Sequence, residues 1–578
     1  MSPGDNHRSS SMSSDSRVSA THTVIAKAQL RLPSLSLSTS SSKPDHGLLR
    51  KQIYAFDPET LAAAIASGCS AQAIKDYLQH YERTTVTAQI DDQVKDQPLV
   101  AYAVERNDTE ILQLLLENGA DPSVKAFGTT PVLAFAIMRT KWTQRNATDV
   151  VKTLLAYGVN PRCVPRDMWE EYVKMPKAEL PTSGHRSAAK WCTPEHRAVL
   201  VETLNLSMRY FLWRASHLQP PTMRTLQIGT AQKVIPLFRI PYQIIGQMVA
   251  AKMVMDEVYA YLSLNTRKPL VLAFAGLSGH GKTELATQME HMLSLKLLDL
   301  DCAQIKTEHN LLGPPIGYTQ NSVGSPLNDH LTAYSGRRCV IFLDEFDKTN
   351  KECRDALLKV LDTGAYRDRK TNKEVDGSRF IWMLAANLGD TAIADFHYKH
   401  MAALKGEEVD KISIKPLRTE LSGIFRNAFS PPIAGRIDTI VPFFPFSPTE
   451  AAVVAHKFIL DLQDEVRKPI ATAEPELRYI AHSDLCVIDD GKVCQHLVTN
   501  HSYEPELGAR SISTSVNRLR TAFALEYSKS DVKVQDEFNE RPLQRYIVQL
   551  NPVSETEEDI SVFRDERTVL SGGQGGGQ

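Results

Sequence analysis

Charge of one sign is what this sequence most plainly lacks: 66 Lys and Arg stand against 68 Asp and Glu in 578 residues, a net charge of −2. That balance gives no bulk electrostatic case for a nucleic acid or a membrane surface as partner. Long apolar runs are missing as well. The densest, Leu270 to Ala275, is strand length and far short of the roughly 18 residues that a bilayer-spanning helix needs. No membrane partner is expected, and the chain is read as soluble. Cysteine is scarce, with eight residues spread along the chain, no CxxC pair and no Cys/His cluster at zinc spacing. That excludes a zinc module and a disulfide scaffold and suits reduced thiols in a reducing compartment.

What is present is an ordinary globular composition, 42% hydrophobic and 23% charged, ample for several cores. The length predicts about three or four domains. The two ends differ in kind from the rest. Fourteen of the first 42 residues are Ser and no periodicity runs through residues 1–48, so this stretch is expected to be disordered. Arg8, Arg17, Lys27 and Arg31 leave a mitochondrial presequence open as the alternative, and Asp5 and Asp15 stand against it. The compartment is accordingly read as cytoplasmic, with mitochondrial as the alternative. Ser571 to Gln578 holds only Gly, Gln and Ser, and residues 553–578 are expected to be a disordered tail.

Residues 49–165 repeat themselves. Gln97-Pro98-Leu99-Val100-Ala101-Tyr102-Ala103 recurs as Thr130-Pro131-Val132-Leu133-Ala134-Phe135-Ala136, 33 positions on, which is the ankyrin period. Ile111, Leu112, Leu115 and Leu116 share one helical face before Gly119, as do Val150, Val151, Leu154 and Leu155 before Gly158. The second pair carries an insertion around Lys141 to Asn146, placed in the turn between its helices. Residues 60–79 read as an earlier, eroded copy, which makes about three repeats, near the minimum for a stable array. A protein-binding surface and a plain helical spacer are equally weighted readings. Residues 166–232 read as a helical linker with one helix over 194–216. Its run of Arg209, Tyr210, Phe211, Trp213 and Arg214 admits stacking on single-stranded nucleic acid, but a packed linker helix is favoured.

The chemistry begins at Leu270-Val271-Leu272-Ala273-Phe274-Ala275, a run suited to a strand buried on both faces. It leads into Gly276-Leu277-Ser278-Gly279-His280-Gly281-Lys282-Thr283 and then an amphipathic helix, and that context gives the GxxxxGKT pattern its meaning. Glycines let backbone N–H groups curl around phosphate oxygens while the helix N-terminus adds its positive end. Gly276, Ser278, Gly279, His280, Gly281, Lys282, Thr283 and Glu284 form the expected nucleotide-binding set. Lys282 is placed on the β- and γ-phosphates and Thr283 on Mg²⁺, so ATP and Mg²⁺ are the expected cofactors. The His280 side chain is expected to face solvent. A second strand, Cys339 to Leu343, ends in Asp344, read as a Mg²⁺ ligand, and Glu345, read as the group that polarises the attacking water. A third, Phe380 to Ala386, ends at Asn387, which is placed to help position that water.

In combination these segments resemble AAA+ ATPases of the Clp type, most of all the second ATPase module of the ClpB disaggregases. Gly279 to Ala286 is similar to the family's GxGKTELA, Val360 to Gly364 to its VLDxG, and Leu384 to Gly389 to its SNLG. Ile244-Ile245-Gly246-Gln247 resembles the segment that borders the adenine, which adds Ile245 to the nucleotide set. The resemblance covers about 235–550 and implies the fold class: an α/β P-loop AAA+ large subdomain over 233–446 and a mainly α lid over 447–552, behind α-helical ankyrin-like repeats. It further implies that Tyr318, in Gly317-Tyr318-Thr319-Gln320, is the pore-loop aromatic that grips polypeptide, that Arg436 is an arginine finger acting on a neighbouring subunit, and that Arg510 is the lid's sensor. Ser447-Pro448-Thr449-Glu450 is a capping box that opens the lid.

The function so implied is an ATP-dependent unfoldase or disaggregase that assembles with itself into a ring, a hexamer, and threads unfolded or aggregated client proteins, with a further protein partner on the ankyrin region. With one ATPase module the ring is expected to have one tier. Ankyrin repeats ahead of one ClpB-like module are a layout similar to that of family members in animal mitochondria. A ClpP-type peptidase partner is disfavoured, since residues 388–415 hold no Ile-Gly-Phe/Leu tripeptide. An ATP-controlled scaffold without threading is the alternative. A DNA motor draws only on Arg367, Arg369, Lys370 and Lys373, more simply read as a solvated loop.

Overall fold

The computed structural model of the chain describes residues 30–37, 44–50, 55–179, 190–264, 266–315, 324–402, 412–499, 503–552 and 558–565. Helix pairs open the molecule: Pro58–Ala66 with Ala71–Gln79, Leu99–Arg106 with Thr109–Glu117, and Val132–Thr143 with Thr148–Ala156. Asp57, Ser70 and Asp108 cap their helices with side-chain oxygens. Gly119 closes its helix at φ 103°, a conformation that only glycine adopts freely. The repeats are stitched across by Arg106, whose guanidinium donates to the Cys69 carbonyl at 2.6 Å, and by Asn107, which donates to the Asn146 carbonyl at 2.9 Å. The insertion expected in the turn between the last two helices is shared: it lengthens the helix Val132–Thr143 as far as Thr143, and the rest, from Gln144, lies in that turn.

Defined structure is found within the stretch expected to be disordered up to residue 48. Leu30, Leu32 and Leu37 are buried, and the helix Pro44–Arg50 lies against the first pair, with Asp45 accepting from the Ser70 amide at 2.8 Å. Scattered leucines in a Ser-rich stretch show no period, yet Leu30, Leu32 and Leu37 join the core that includes the repeats.

The region expected as one linker helix is two, Pro194–Thr203 and Leu206–His217, separated at Leu204 and capped anew by Asn205. It is not a free spacer. Its apolar side chains, those of the repeats and those of the lid form a single continuous core. Arg209 and Arg214 are 0% and 1% exposed, which removes the nucleic-acid stacking reading: both guanidiniums are consumed inside the protein.

The large subdomain is a five-stranded, all-parallel sheet of β1 (Leu270–Ala275), β2 (Leu297–Asp301), β3 (Cys339–Asp344), β4 (Phe380–Ala386) and β5 (Thr439–Pro442) in the order β2-β3-β4-β1-β5. Alternate residues serve opposite faces. Val271, Ile341 and Trp382 meet the helices Lys351–Thr363 and Lys415–Ala434, while Leu272, Phe342 and Met383 meet Met248–Leu264 and Lys282–Leu293. Burial on both faces is why these strands read as unbroken apolar runs.

The lid starts at Ser447, whose capping box with Glu450 is formed in full. It is mainly helical, Pro448–Arg467, Asp490–Thr499 and Ala509–Tyr527, with a sheet of β6 (Ser483–Val487), β7 (Gln544–Pro552) and β8 (Glu558–Arg564). The tail expected to be disordered from residue 553 thus includes a strand, paired antiparallel with β7 from Glu558 to Arg564. Its alternating Ile560 and Val562 pack on the lid core.

Candidate nucleotide site

The carboxyl ends of β1, β3 and β4 converge, which is where ligands gather in open α/β sheets. At the end of β1 the chain turns with Gly276 at φ 122°, where a Cβ would stand 2.6 Å from the Phe443 carbonyl oxygen. The helix Lys282–Leu293 then begins after Gly281 with no side-chain cap, leaving its first N–H groups turned toward the loop. A cavity of about 230 Å³ opens here, lined by Ser278, Gly279, Gly281, Lys282, Thr283, Glu284, Asp344, Glu345, Asn387 and Arg510. Ten of the residues expected at the site are therefore brought together.

Lys282 is buried, and its ammonium donates to the Gly276 carbonyl at 2.5 Å, Asn387 Oδ1 at 2.7 Å and the Ala386 carbonyl at 3.3 Å. Burial pushes it down to about 8, aided by the Arg510 charge and opposed by Asp344, Asp347 and Glu345. Thr283 Oγ1 lies 3.4 Å from Asp344 Oδ2. Two hard oxygen donors facing the cavity suit Mg²⁺, which takes few protein ligands and completes its shell with phosphate and water. Glu345 holds a left-handed backbone, φ 50°, with its amide bonded to Asp344 Oδ1 at 2.9 Å. Positive φ is a strained conformation for a residue other than glycine, and here it stands beside the cavity.

Arg510 stands exposed at the rim. Arg436 is not among the lining residues. It donates to the Leu358 carbonyl at 3.0 Å and the Pro432 carbonyl at 2.5 Å and pairs with Asp362 at 3.2 Å. Tyr318 lies outside the described residues. Ile245 is half-buried in a segment that is pinned on two sides: Arg214 donates to the Ile244 and Gly246 carbonyls at 2.6 and 2.7 Å, and Gln247 exchanges hydrogen bonds with the Phe444 backbone at 2.7 and 3.0 Å.

His280 corrects the sequence reading. It does not face solvent: it is 1% exposed and stacked on Phe446, because the lid covers this side of the loop. Burial pushes it down to about 4. Sequence reasoning missed Asp347, whose Oδ1 accepts from the Asn387 amide at 3.1 Å and so holds that strand end to the acidic one. Its place three residues past Asp344 is a signal that was there to use. Arg214 and Phe446 had none, since their partners lie far off in sequence.

Residues 267–440 match the family described as AAA domain (Cdc48 subfamily), and residues 96–126 match the ankyrin repeat. Among curated proteins the chain is similar to Chaperone protein ClpB of Chlamydia trachomatis, 27% identical over 54% of this chain and 34% of that one, and to Chaperone protein ClpB of Chlamydia muridarum, 30% identical over 39% of this chain and 26% of that one. It therefore spans about a third or less of the length of these relatives. Among solved structures, Hsp104 of S. cerevisiae in complex with ADP matches 84% of this chain and 68% of that one at 16% identity and a TM-score of 0.40.

Proposed function

We propose that this chain, which carries a ClpB-like AAA+ module behind ankyrin repeats, hydrolyses ATP and uses the energy to unfold or disaggregate proteins. The observation that carries the reading is the convergence of Lys282, Thr283, Asp344, Glu345, Asn387 and Arg510 on one cavity. Lys282 and the uncapped helix N-terminus would bind phosphate oxygens, and Thr283 with Asp344 would hold Mg²⁺. When bound, that ion supplies charge neutralisation at the transferred phosphoryl group. Glu345 orients and polarises a water and takes its proton. Arg510 reaches in from the lid and ties lid position to the phosphates.

The ClpB relatives named chaperones support the client class: unfolded or aggregated polypeptide, consistent with a net charge of −2. Assembly into a ring, hydrolysis completed by Arg436 of an adjoining copy, threading past Tyr318 and capture of clients by the ankyrin array belong to the same proposal. Arg436 is partly exposed in its ion pair with Asp362 and also donates to the Leu358 and Pro432 carbonyls, so turning onto a neighbouring phosphate means releasing all three contacts. The test is recovery of a heat-aggregated enzyme with ATP. Wild type should restore activity, Glu345→Gln should bind ATP without restoring it, and Tyr318→Ala should hydrolyse ATP without restoring it. Recovery by Tyr318→Ala at the wild-type level would remove threading from the proposal.

A further inference from the structure

His280 is a phosphate-loop side chain packed at the edge of the lid. Its ring lies on that of Phe446 with centroids 5.2 Å apart and 25° between planes. Nδ1 lies 3.0 Å from the Ser278 carbonyl oxygen, which can only accept, so Nδ1 carries the ring proton. Nε2 is then a bare acceptor, buried with no hydrogen-bond partner among the described residues. A buried acceptor without a donor is unfavourable, and an apolar side chain would fill the space without that cost.

Around the ring the two subdomains touch backbone to backbone. The Ala509 amide donates to the Gly279 carbonyl at 2.9 Å. A Cβ on Gly279 would stand 2.2 Å from the Leu507 carbonyl oxygen, and one on Gly508 would stand 2.6 Å from the Gly279 carbonyl oxygen and 2.9 Å from His280 Cε1. On its other side, Phe446 is the last residue before the lid's N-cap Ser447, and its amide is held by the Tyr503 hydroxyl at 3.1 Å. The ring is thus wedged between the last residue before the lid and the turn that carries Arg510. Arg510 is long and exposed, so its reach into the cavity is set by where that turn sits.

We propose that His280 is a positioning residue: wedged between Phe446 and Gly508, it fixes the lid on the phosphate loop and sets where Arg510 stands at the nucleotide cavity. The second half rests on the nucleotide reading of the site; the clasp itself does not. A shift of the order of 1 Å in a group that meets the reacting phosphate can cost up to about 10²-fold in rate.

Two variants of the full chain separate the ring from its hydrogen bond. His280→Ala removes both, and His280→Asn keeps a donor for the Ser278 carbonyl while losing the stacked ring. Hydrogen exchange at the Ala509 amide should quicken by about tenfold or more in both variants, with strands β1 and β4 protected as before. Unchanged exchange at Ala509 would overturn the clasp. Faster exchange spread through β1 and β4 would also overturn it, because the ring would then support the whole subdomain. ATP turnover decides the second half. Each His280 variant should lose about tenfold, and combining it with Arg510→Ala should cost no more than Arg510→Ala alone. Losses that multiply would show that His280 does not act through Arg510. A wild-type chain that hydrolyses no ATP would overturn the reading of the site, while the exchange result would still decide the clasp.

Discussion

The nucleotide cavity and the seam between the helix Leu206–His217 and the lid are built from the same kinds of side chain and differ in their access to water. At the seam, Ser207 Oγ lies 2.7 Å from His456 Nδ1, and His456 Nε2 lies 3.6 Å from Asp490 Oδ2. Serine, histidine and aspartate in a row suggest a nucleophilic triad. Here, however, the hydroxyl meets Nδ1 and the acid lies nearer Nε2, the reverse of the working arrangement, and none of the three residues exceeds 7% exposure. Asp490 is committed twice more, to Arg209 at 2.7 Å and to the Leu206 amide at 2.6 Å. At the cavity, by contrast, Thr283 and Arg510 are exposed and the acids are half-buried around open space. A cluster of titratable groups becomes a site where a ligand can enter; sealed, it is a clasp.

The comparison is broken most directly by one substitution on each side. Glu345→Gln should lower ATP turnover by about 10³-fold, the scale of a lost general base, with the thermal midpoint unchanged. Arg209→Ala should lower stability by about 3–5 kcal/mol, since it strands the Asp490 carboxylate in the core. Urea unfolding reads that loss, and turnover per folded molecule should stay at the wild-type level. If Arg209→Ala abolished turnover in a chain of normal stability, the seam would be a site after all.

Acid pH sharpens the contrast. Burial pushes His456 down to about 4, against an ordinary value near 6.5. Below about 6.5 the unfolded chain takes up a proton that the folded chain refuses, so stability is complete above that pH and is lost as pH falls toward 4. At pH 5 this one group removes about 2 kcal/mol. Burial alone would raise Asp490, but Arg209 and His456 hold it below its ordinary value, so it adds nothing in this window. The thermal midpoint should fall between pH 7 and pH 5, and His456→Gln should flatten that slope. An equal slope in the variant would mean that His456 titrates freely.

The same contrast explains how much was legible in the sequence. The cavity is encoded by contiguous stretches, Gly276 to Thr283, Asp344-Glu345 and Asn387, each at the end of a strand that announces itself by its apolar run. The seam is encoded by pairs such as Arg209 with Asp490 and Ser207 with His456, 281 and 249 positions apart. Helical period shows which positions share a face, not what that face meets. Arginine in a helix reads as surface, and only the fold supplies the carboxylate and carbonyls that bury it. Strand β8 was hidden for a related reason: Glu558 to Arg564 mixes acids with Ile560 and Val562 and becomes a strand by pairing along β7. His280 misled because its loop is a phosphate motif on one side and a lid contact on the other, and only the first is written in the pattern.

The smallest effect is expected at Ser447, which stands between the two regions. Its hydroxyl accepts from the Glu450 amide at 3.3 Å, and its own amide donates to the Glu450 carboxylate at 3.0 Å. Removing the hydroxyl in Ser447→Ala should cost about 1 kcal/mol, the usual worth of a helix N-cap. The helix it caps, Pro448–Arg467, buries Ala451, Ala455 and, at the seam, His456, so the loss should appear in unfolding. Glu450 offers a second route, because a Cβ on Gly246 would stand 3.3 Å from its Oε1, beside the segment that carries Ile245. Stability measured by urea and the KM for ATP measured on the same variant separate the routes. A stability loss with an unchanged KM places the cap with the sealed body, whereas a KM raised several-fold with stability intact would move Ser447 to the nucleotide side and blur the boundary drawn between clasp and site.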